Sequence, residues 1–386
     1  MIDFDSIGID QLQRAGGAKW TSFPGTIGAF VAEMDFGTAP TVLQAVRAAT
    51  DRGLFGYLPN GIADQMSEAA ANWQRDNFGW DLRPEQVHPV ADVITALEHA
   101  IRHYSRPGSK VIVPTPTYMK FLTVPADLGR EIIEIPLVQN NGRDEIDLEA
   151  LDGAFRDGGG ILLLCNPYNP IGRVFTREEL LGISDVVSRN GGRVFADEVH
   201  APLVYAGATH IPYASVSTDA ARHTVTGTSA AKAWNLAGLK CAQVIISNDA
   251  DAIIWEEVGS MARHGASNLG VVANTAAYST GRSWLDQVLA YNDRNRQVLG
   301  ELIQEHIPDI RYTQPEGTYI AWLDCRELGI GDRPAEFFME RAGVAMTDGA
   351  SCGVNGTGFV RMIFATPRPI LEQAICQMAD ALRSCR

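Results

Sequence analysis

No apolar run in the chain reaches the roughly 18–20 residues that a membrane-spanning helix needs. The first residues, Met1-Ile-Asp-Phe-Asp5, lack the basic and apolar regions of a secretory leader, so a cytoplasmic location and no membrane partner are expected. Cysteine is sparse. The six residues Cys165, Cys241, Cys325, Cys352, Cys376 and Cys385 form no CxxC pair and no zinc spacing, which points to free thiols in a reducing compartment. The HExxH arrangement is also missing. His99 and His103 stand four apart on an expected helix, as two ligands could, but without that arrangement no metal is expected. Internal repeats, low-complexity tracts and long charge runs are absent, which excludes solenoid arrays and charged tails.

The chain does have enough apolar material for a large core: 46% of its 386 residues are hydrophobic and 20% are charged. That length suits two to three average domains, or one large and one small. Net charge is −14 with both signs interspersed, which favours solubility and argues against a nucleic-acid partner.

The first 44 residues read as irregular and in part glycine-rich, at Gly16-Gly17 and from Gly25 to Gly28. Further on, Val93, Ala96, Leu97, Ala100, Ile101 and Tyr104 form a helical stripe. Short apolar strands are expected at Lys110–Val113, Gly160–Cys165, Arg193–Ala196, Thr224–Gly227 and Ala242–Ser247. Between them lie amphipathic segments such as Arg177–Arg189, with Thr176 as its N-cap. Continuous apolar strands separated by helices predict an α/β fold, a mostly parallel sheet covered on both faces. A long helix from about Trp284 to His306 would lead into a smaller α+β unit with Tyr319–Leu323, Phe359–Phe364 and a closing helix Ile370–Leu382. The expected division is residues 45–280 for the large domain, and 1–44 with 281–386 for the small one. Ligands are expected at the carboxyl ends of the strands.

Three stretches carry chemistry. Thr226-Gly-Thr-Ser-Ala-Ala-Lys232 follows an apolar strand, and its small residues would let Lys232 approach a ligand closely. A lysine amine attacks an aldehyde only when neutral, so it needs a depressed pKa. Ser229 and Lys240 offer a hydroxyl and a positive charge suited to a phosphate ester; taken alone, the stretch could equally be a polar surface loop. Val194-Phe-Ala-Asp-Glu-Val-His200 places two carboxylates and an imidazole after a strand, where they could also be solvated turn residues. Leu164-Cys-Asn-Pro-Tyr-Asn-Pro-Ile-Gly172 holds two Asn-Pro pairs, a stiff loop that needs no function as a turn.

In this order, the Asn-Pro loop, the strand-end aspartate and the small-residue lysine resemble the aspartate aminotransferase superfamily, fold type I of the pyridoxal-phosphate (PLP) enzymes. The likeness is closest to its cystathionine β-lyase, or carbon–sulfur lyase, branch. It extends to Phe30-Val-Ala-Glu-Met-Asp-Phe36, Phe55-Gly-Tyr57, Pro114-Thr-Pro-Thr-Tyr118, Pro315-Glu-Gly-Thr-Tyr319 and Phe359-Val-Arg-Met-Ile-Phe364. The resemblance implies a three-layer α/β/α large domain, a smaller α+β domain and PLP bound covalently to Lys232. By the same resemblance Lys232 shuttles the substrate's α-proton, Asp197 pairs with the pyridinium nitrogen, Asn169 bonds the ring's phenolic oxygen and Tyr118 stacks on the ring. The phosphate would lie at the helix beginning near Asp92-Val93, with Ser229 and Lys240 adding contacts. Arg361 would clamp the α-carboxylate of an amino-acid substrate, with Asn169 beside it. Tyr57 would reach the neighbouring subunit's site, which implies a homodimer.

His200 stands where many aminotransferases carry tyrosine, and the lyase branch commonly has histidine there. Phe30 replaces a usual tryptophan, and Asp92 a usual glycine; an acid beside a phosphate is unfavourable unless it turns away to cap the helix. The implied reaction cleaves cystathionine or an L-cysteine S-conjugate to a thiol, pyruvate and ammonia. Transamination, a specialised biosynthetic β-elimination or decarboxylation-coupled oxidative deamination on a cysteine conjugate, and a regulatory binding role are the alternatives.

Overall fold

The computed structural model describes residues 2–140 and 142–385. Its central sheet has seven strands: β1 (Val87–Val90), β2 (Lys110–Thr115), β3 (Ile132–Pro136), β4 (Gly159–Cys165), β5 (Arg193–Asp197), β6 (Thr224–Thr228) and β7 (Ala242–Ile246). They lie in the order β1-β7-β6-β5-β4-β2-β3. β6, β5, β4, β2 and β3 are mutually parallel, while β7 runs antiparallel to both its neighbours. All seven residues of β4 are buried, which explains why its sequence is an unbroken apolar run.

The strands at either end were not legible. β1 contains His88 and Pro89, and β3 contains Glu134 and Pro136, so neither reads as an apolar strand. Both occupy sheet edges, where a missing N–H and a charge are tolerated. The other five strands fall within a residue or two of expectation.

Helices α1 (Pro40–Asp51), α2 (Asn60–Phe78), α3 (Val93–His103), α4 (Arg177–Arg189), α5 (Asp249–Arg263) and α6 (Asn268–Thr280) surround the sheet. Ala96, Leu97, Ala100 and Ile101 of α3 are buried, as the stripe predicts. Thr176 caps α4 in a reciprocal box: the Glu179 N–H donates to its hydroxyl at 3.2 Å, and the Thr176 N–H donates to the Glu179 carboxylate at 2.7 Å. The rings of His99 and His103 lie 5.3 Å apart, with His99 against Trp255, so they are part of a packed aromatic cluster.

A second, antiparallel sheet comprises β8 (Arg311–Tyr312), β9 (Ile320–Asp324), β10 (Thr347–Asp348) and β11 (Phe359–Ile363), in the order β8-β9-β11-β10. Helix α7 (Arg282–His306) leads to it from Gly281, and α8 (Arg368–Arg383) closes the chain. The fold is thus α/β with two domains, the smaller being α+β. α1 runs across the expected boundary at residues 44 and 45. The N-terminal segment is less irregular than expected, because Ile9–Ala15 and Ala18–Thr21 are short helices. It packs on the smaller unit: Ile27 and Gly28 pair with Val344 and Ala345, and Phe4 meets Phe36 and Tyr291. A buried pair, Lys19 to Asp35 at 2.8 Å, fixes this segment together with the Trp20 indole N–H on the same carboxylate.

Candidate active site

Because β2, β4, β5 and β6 are parallel, their carboxyl ends open on one edge of the sheet. β1 follows the same direction, being antiparallel to β7, which is antiparallel to β6. That edge therefore collects Tyr118 after β2, Asn169 after β4, Asp197 at the end of β5, Ser229 and Lys232 after β6, and the first turn of α3 after β1. β7 begins there, which brings Lys240 as well. The sheet gathers what the sequence scatters.

Asp197 is buried and ends β5 between Cys165 and Gly227 of the adjacent strands. One of its oxygens accepts the Val199 N–H at 3.1 Å. Burial raises its pKa to about 7, against the opposing effects of that bond and of Lys232. A carboxyl group in this state is suited to a cationic N–H partner, which would hold it ionised. His200 is likewise buried; burial, then Lys232 and Arg361, lowers its pKa to about 3, and its Nδ1 has no hydrogen-bond partner among the described residues. Its imidazole is neutral and lies against the Tyr319 ring, centroids 6.0 Å apart.

The chain has only five lysines: Lys19, Lys110, Lys120, Lys232 and Lys240. Lys19, Lys110 and Lys240 are salt-bridged to carboxylates. Lys232 instead donates to the Ala32 carbonyl at 3.0 Å, an acceptor it shares with the Tyr319 hydroxyl, also at 3.0 Å. Burial and then Arg361 lower its pKa, with Glu33 and Asp197 opposing. The direction of this shift favours the neutral amine that nucleophilic attack requires.

Arg361 on β11 is buried and held from three sides. It donates to the Phe30 carbonyl at 2.9 Å, the Thr347 hydroxyl at 3.2 Å and the Asn169 side-chain oxygen at 3.3 Å, while its Nε has no partner among the described residues. An unsatisfied guanidinium N–H in a buried site is a donor awaiting an anion. Asn169 is set by the stiff loop after β4, where Gly172 turns with φ of +74°. A Cβ at Gly172 would lie 2.2 Å from the Pro315 side chain, so glycine permits this loop to touch the smaller domain. The Glu316 and Gly317 N–H groups donate to the Gly172 carbonyl at 2.8 and 2.9 Å. Tyr118 is partly buried; burial and then Asp197 raise its pKa.

Asp92 does turn to cap α3. Its carboxylate accepts the Thr95 N–H at 2.9 Å and the Thr95 hydroxyl at 3.0 Å, and pairs with Lys240 at 2.9 Å. Val93 opens the helix, and Gly227 lets it settle on the sheet: a Cβ there would stand 2.7 Å from the Phe195 ring and 3.2 Å from Val93. Ser229 is tied to its own loop, donating to the Cys241 carbonyl at 2.8 Å and accepting the Ala231 N–H at 3.0 Å. Tyr57 is apart from this cluster and 92% exposed.

A family model described as aminotransferase class I and II matches residues 30–376. The chain belongs to that family. Within it, the chain falls in the cystathionine β-lyase branch: a cystathionine β-lyase of Corynebacterium glutamicum is 36% identical over 97% of this chain and 99% of its own. A solved structure of a candidate PLP-dependent β-cystathionase from Corynebacterium diphtheriae shares 43% identity over 99% of both chains, with a TM-score of 0.94. The PLP-bound carbon–sulfur lyase of Staphylococcus hominis superposes with a TM-score of 0.91 at 27% identity, again over 99% of both chains.

The geometry adds residues to those that this family's motifs pick out. The Phe30 carbonyl and Thr347 accept from Arg361, and the Ala32 carbonyl accepts from both Lys232 and Tyr319. Tyr319 lies in a quoted motif, whereas backbone carbonyls carry no side-chain signature. Asn235 is a further addition. It exchanges two bonds with Met34, accepting the N–H at 3.0 Å and donating to the carbonyl at 2.9 Å, and so ties the lysine loop to the segment that carries Ala32.

Proposed function

We propose that this protein is a PLP-dependent carbon–sulfur β-lyase, releasing a thiol, pyruvate and ammonia from an L-cysteine S-conjugate such as cystathionine. The observation that carries the reading is the convergence, on one sheet edge, of a depressed-pKa lysine, a buried carboxyl group and an arginine with an unsatisfied N–H. Branch membership supports elimination as the outcome.

The residues fit the cofactor. Lys232 would supply the amine for covalent attachment, Asp197 would face the pyridine nitrogen, and Tyr118 and Asn169 would contact the ring. The α3 N-terminus, Ser229 and Lys240 would meet the phosphate, Ser229 only by releasing a loop bond. When bound, PLP supplies an electron sink for charge developing at the substrate's α-carbon. Asp197 stabilises that charge by keeping the nitrogen proton in place. Arg361 orients the α-carboxylate, its Nε being free to donate. Lys232 would take the α-proton as general base, its lowered pKa favouring the free amine. His200, kept neutral by its buried surroundings, leaves Arg361 as the cation facing the substrate's carboxylate. Tyr57 would act in a neighbouring subunit of a homodimer, which is consistent with its exposure here.

Incubation of the purified protein with cystathionine and with a bulkier S-conjugate, while assaying thiol and pyruvate, tests the reading. Both products are expected in equal amounts, and Lys232→Ala should abolish them. A keto acid formed without thiol would overturn elimination in favour of transamination.

A further inference from the structure

The Asp92–Lys240 pair is a consequence of sheet register. Val90 on β1 is opposite Ala242 on antiparallel β7, so Asp92, two residues past the end of β1, comes beside Lys240, two residues before the start of β7. Asp92 is held by three donors, the Thr95 N–H and hydroxyl and the Lys240 ammonium. Burial pushes its pKa up, but the bonds from Lys240 and Thr95 outweigh this and hold it below the ordinary carboxylate range. The carboxylate is therefore ionised. Lys240 is fixed in turn by a left-handed backbone, φ of +52°, and by its carbonyl accepting the Ser267 N–H at 2.9 Å.

These donors are the ones that a cofactor phosphate would need. A helix N-terminus offers its first N–H groups to an anion, and a nearby ammonium supplies charge. Here an internal carboxylate already occupies one of those N–H groups and the ammonium. We propose that Asp92 is a built-in anion of the phosphate subsite, holding its donors in place before the cofactor arrives and setting how tightly the cofactor is retained. The inference rests on the PLP reading of the previous section. Loading requires Lys240 to transfer from the Asp92 carboxylate to the phosphate, and the displaced carboxylate remains close to a dianion. Both effects weaken cofactor retention, so the enzyme exchanges PLP with the free pool more readily than it would with a neutral residue at position 92.

The test uses full-length apoenzyme of the wild type, Asp92→Asn and Asp92→Ser. Asparagine and serine are helix caps about as good as aspartate, so both variants lose the charge while keeping the cap. PLP affinity is measured by titration of visible absorbance, and affinity for inorganic phosphate by the concentration dependence of thermal unfolding. Both variants are expected to bind PLP about ten-fold more tightly, the order that Coulomb's law gives for a unit charge about 6 Å from a dianion under water-like screening. Inorganic phosphate should follow the same direction. Lys240→Ala should weaken PLP binding more in the Asp92→Asn background than in the wild type, because there the ammonium has no competing partner. Unchanged or weaker affinity in both variants would overturn the inference and leave Asp92 as a cap alone. Uptake of PLP by none of the proteins, wild type included, would instead overturn the PLP reading and the inference with it.

Discussion

Asp197 and Lys232 owe their chemistry to burial acting in opposite senses on an acid and a base. The carboxyl group is raised to about 7 and the ammonium lowered, so each carries its charge less readily than it would in water. Replacing Asp197 by asparagine keeps the shape and removes the countercharge. Turnover is expected to fall about 100-fold or more, the scale of losing one preorganised electrostatic contact, while PLP uptake persists. Steady-state kinetics beside an absorbance titration check this. These two residues were legible because each follows an apolar strand whose end must open on the ligand edge. The Ala32 and Phe30 carbonyls were not, since any side chain could have stood at those positions. The packing of Asp92 with Lys240 was half legible: capping was foreseeable from a residue preceding an apolar stripe, but the salt bridge depends on the pairing of β1, a strand that its proline concealed.

At the level of elements, the lysine loop and the Phe30–Phe36 segment are joined mainly through Asn235. Its backbone is left-handed, φ of +60°, a conformation that asparagine adopts at less cost than alanine. Asn235→Ala removes both bonds to Met34 and adds backbone strain. A loss of about 2 kcal/mol is expected in denaturant unfolding of the apoenzyme. Weaker PLP retention should accompany it, because the Ala32 carbonyl that positions Lys232 belongs to the freed segment. The central parallel strands were readable as apolar runs, whereas the edge strands and the N-terminal helices were not. Edges carry mixed residues by physical necessity, and a four- or seven-residue helix is too short to show a periodic stripe.

Across the whole molecule, two buried histidines, His200 and His223, and the half-buried His88 make stability depend on pH. Burial lowers His88 and His200 to about 3 and His223 to about 4, from an ordinary 6.5. Below pH 6.5 the unfolded chain takes up protons that the folded chain refuses, so stability falls as pH drops. Each histidine contributes a slope of up to about 1.4 kcal/mol per pH unit until its folded pKa is reached. Asp197 acts in reverse: its folded pKa of about 7 exceeds the ordinary 3.8, so its contribution falls as pH rises between those values. It offsets one histidine and leaves a net loss towards acid. Denaturant unfolding of the apoenzyme should give lower stability at pH 5 than at pH 7; equal or greater stability at pH 5 would contradict this balance.

The account depends most on covalent attachment of PLP at a single lysine out of five. Apoenzyme loaded with PLP, reduced with borohydride and digested for mass spectrometry tests that directly. The expected result is one stoichiometric adduct on the peptide that carries Lys232, absent in Lys232→Ala. An unlabelled Lys232 peptide, or an adduct confined to another lysine, would contradict it.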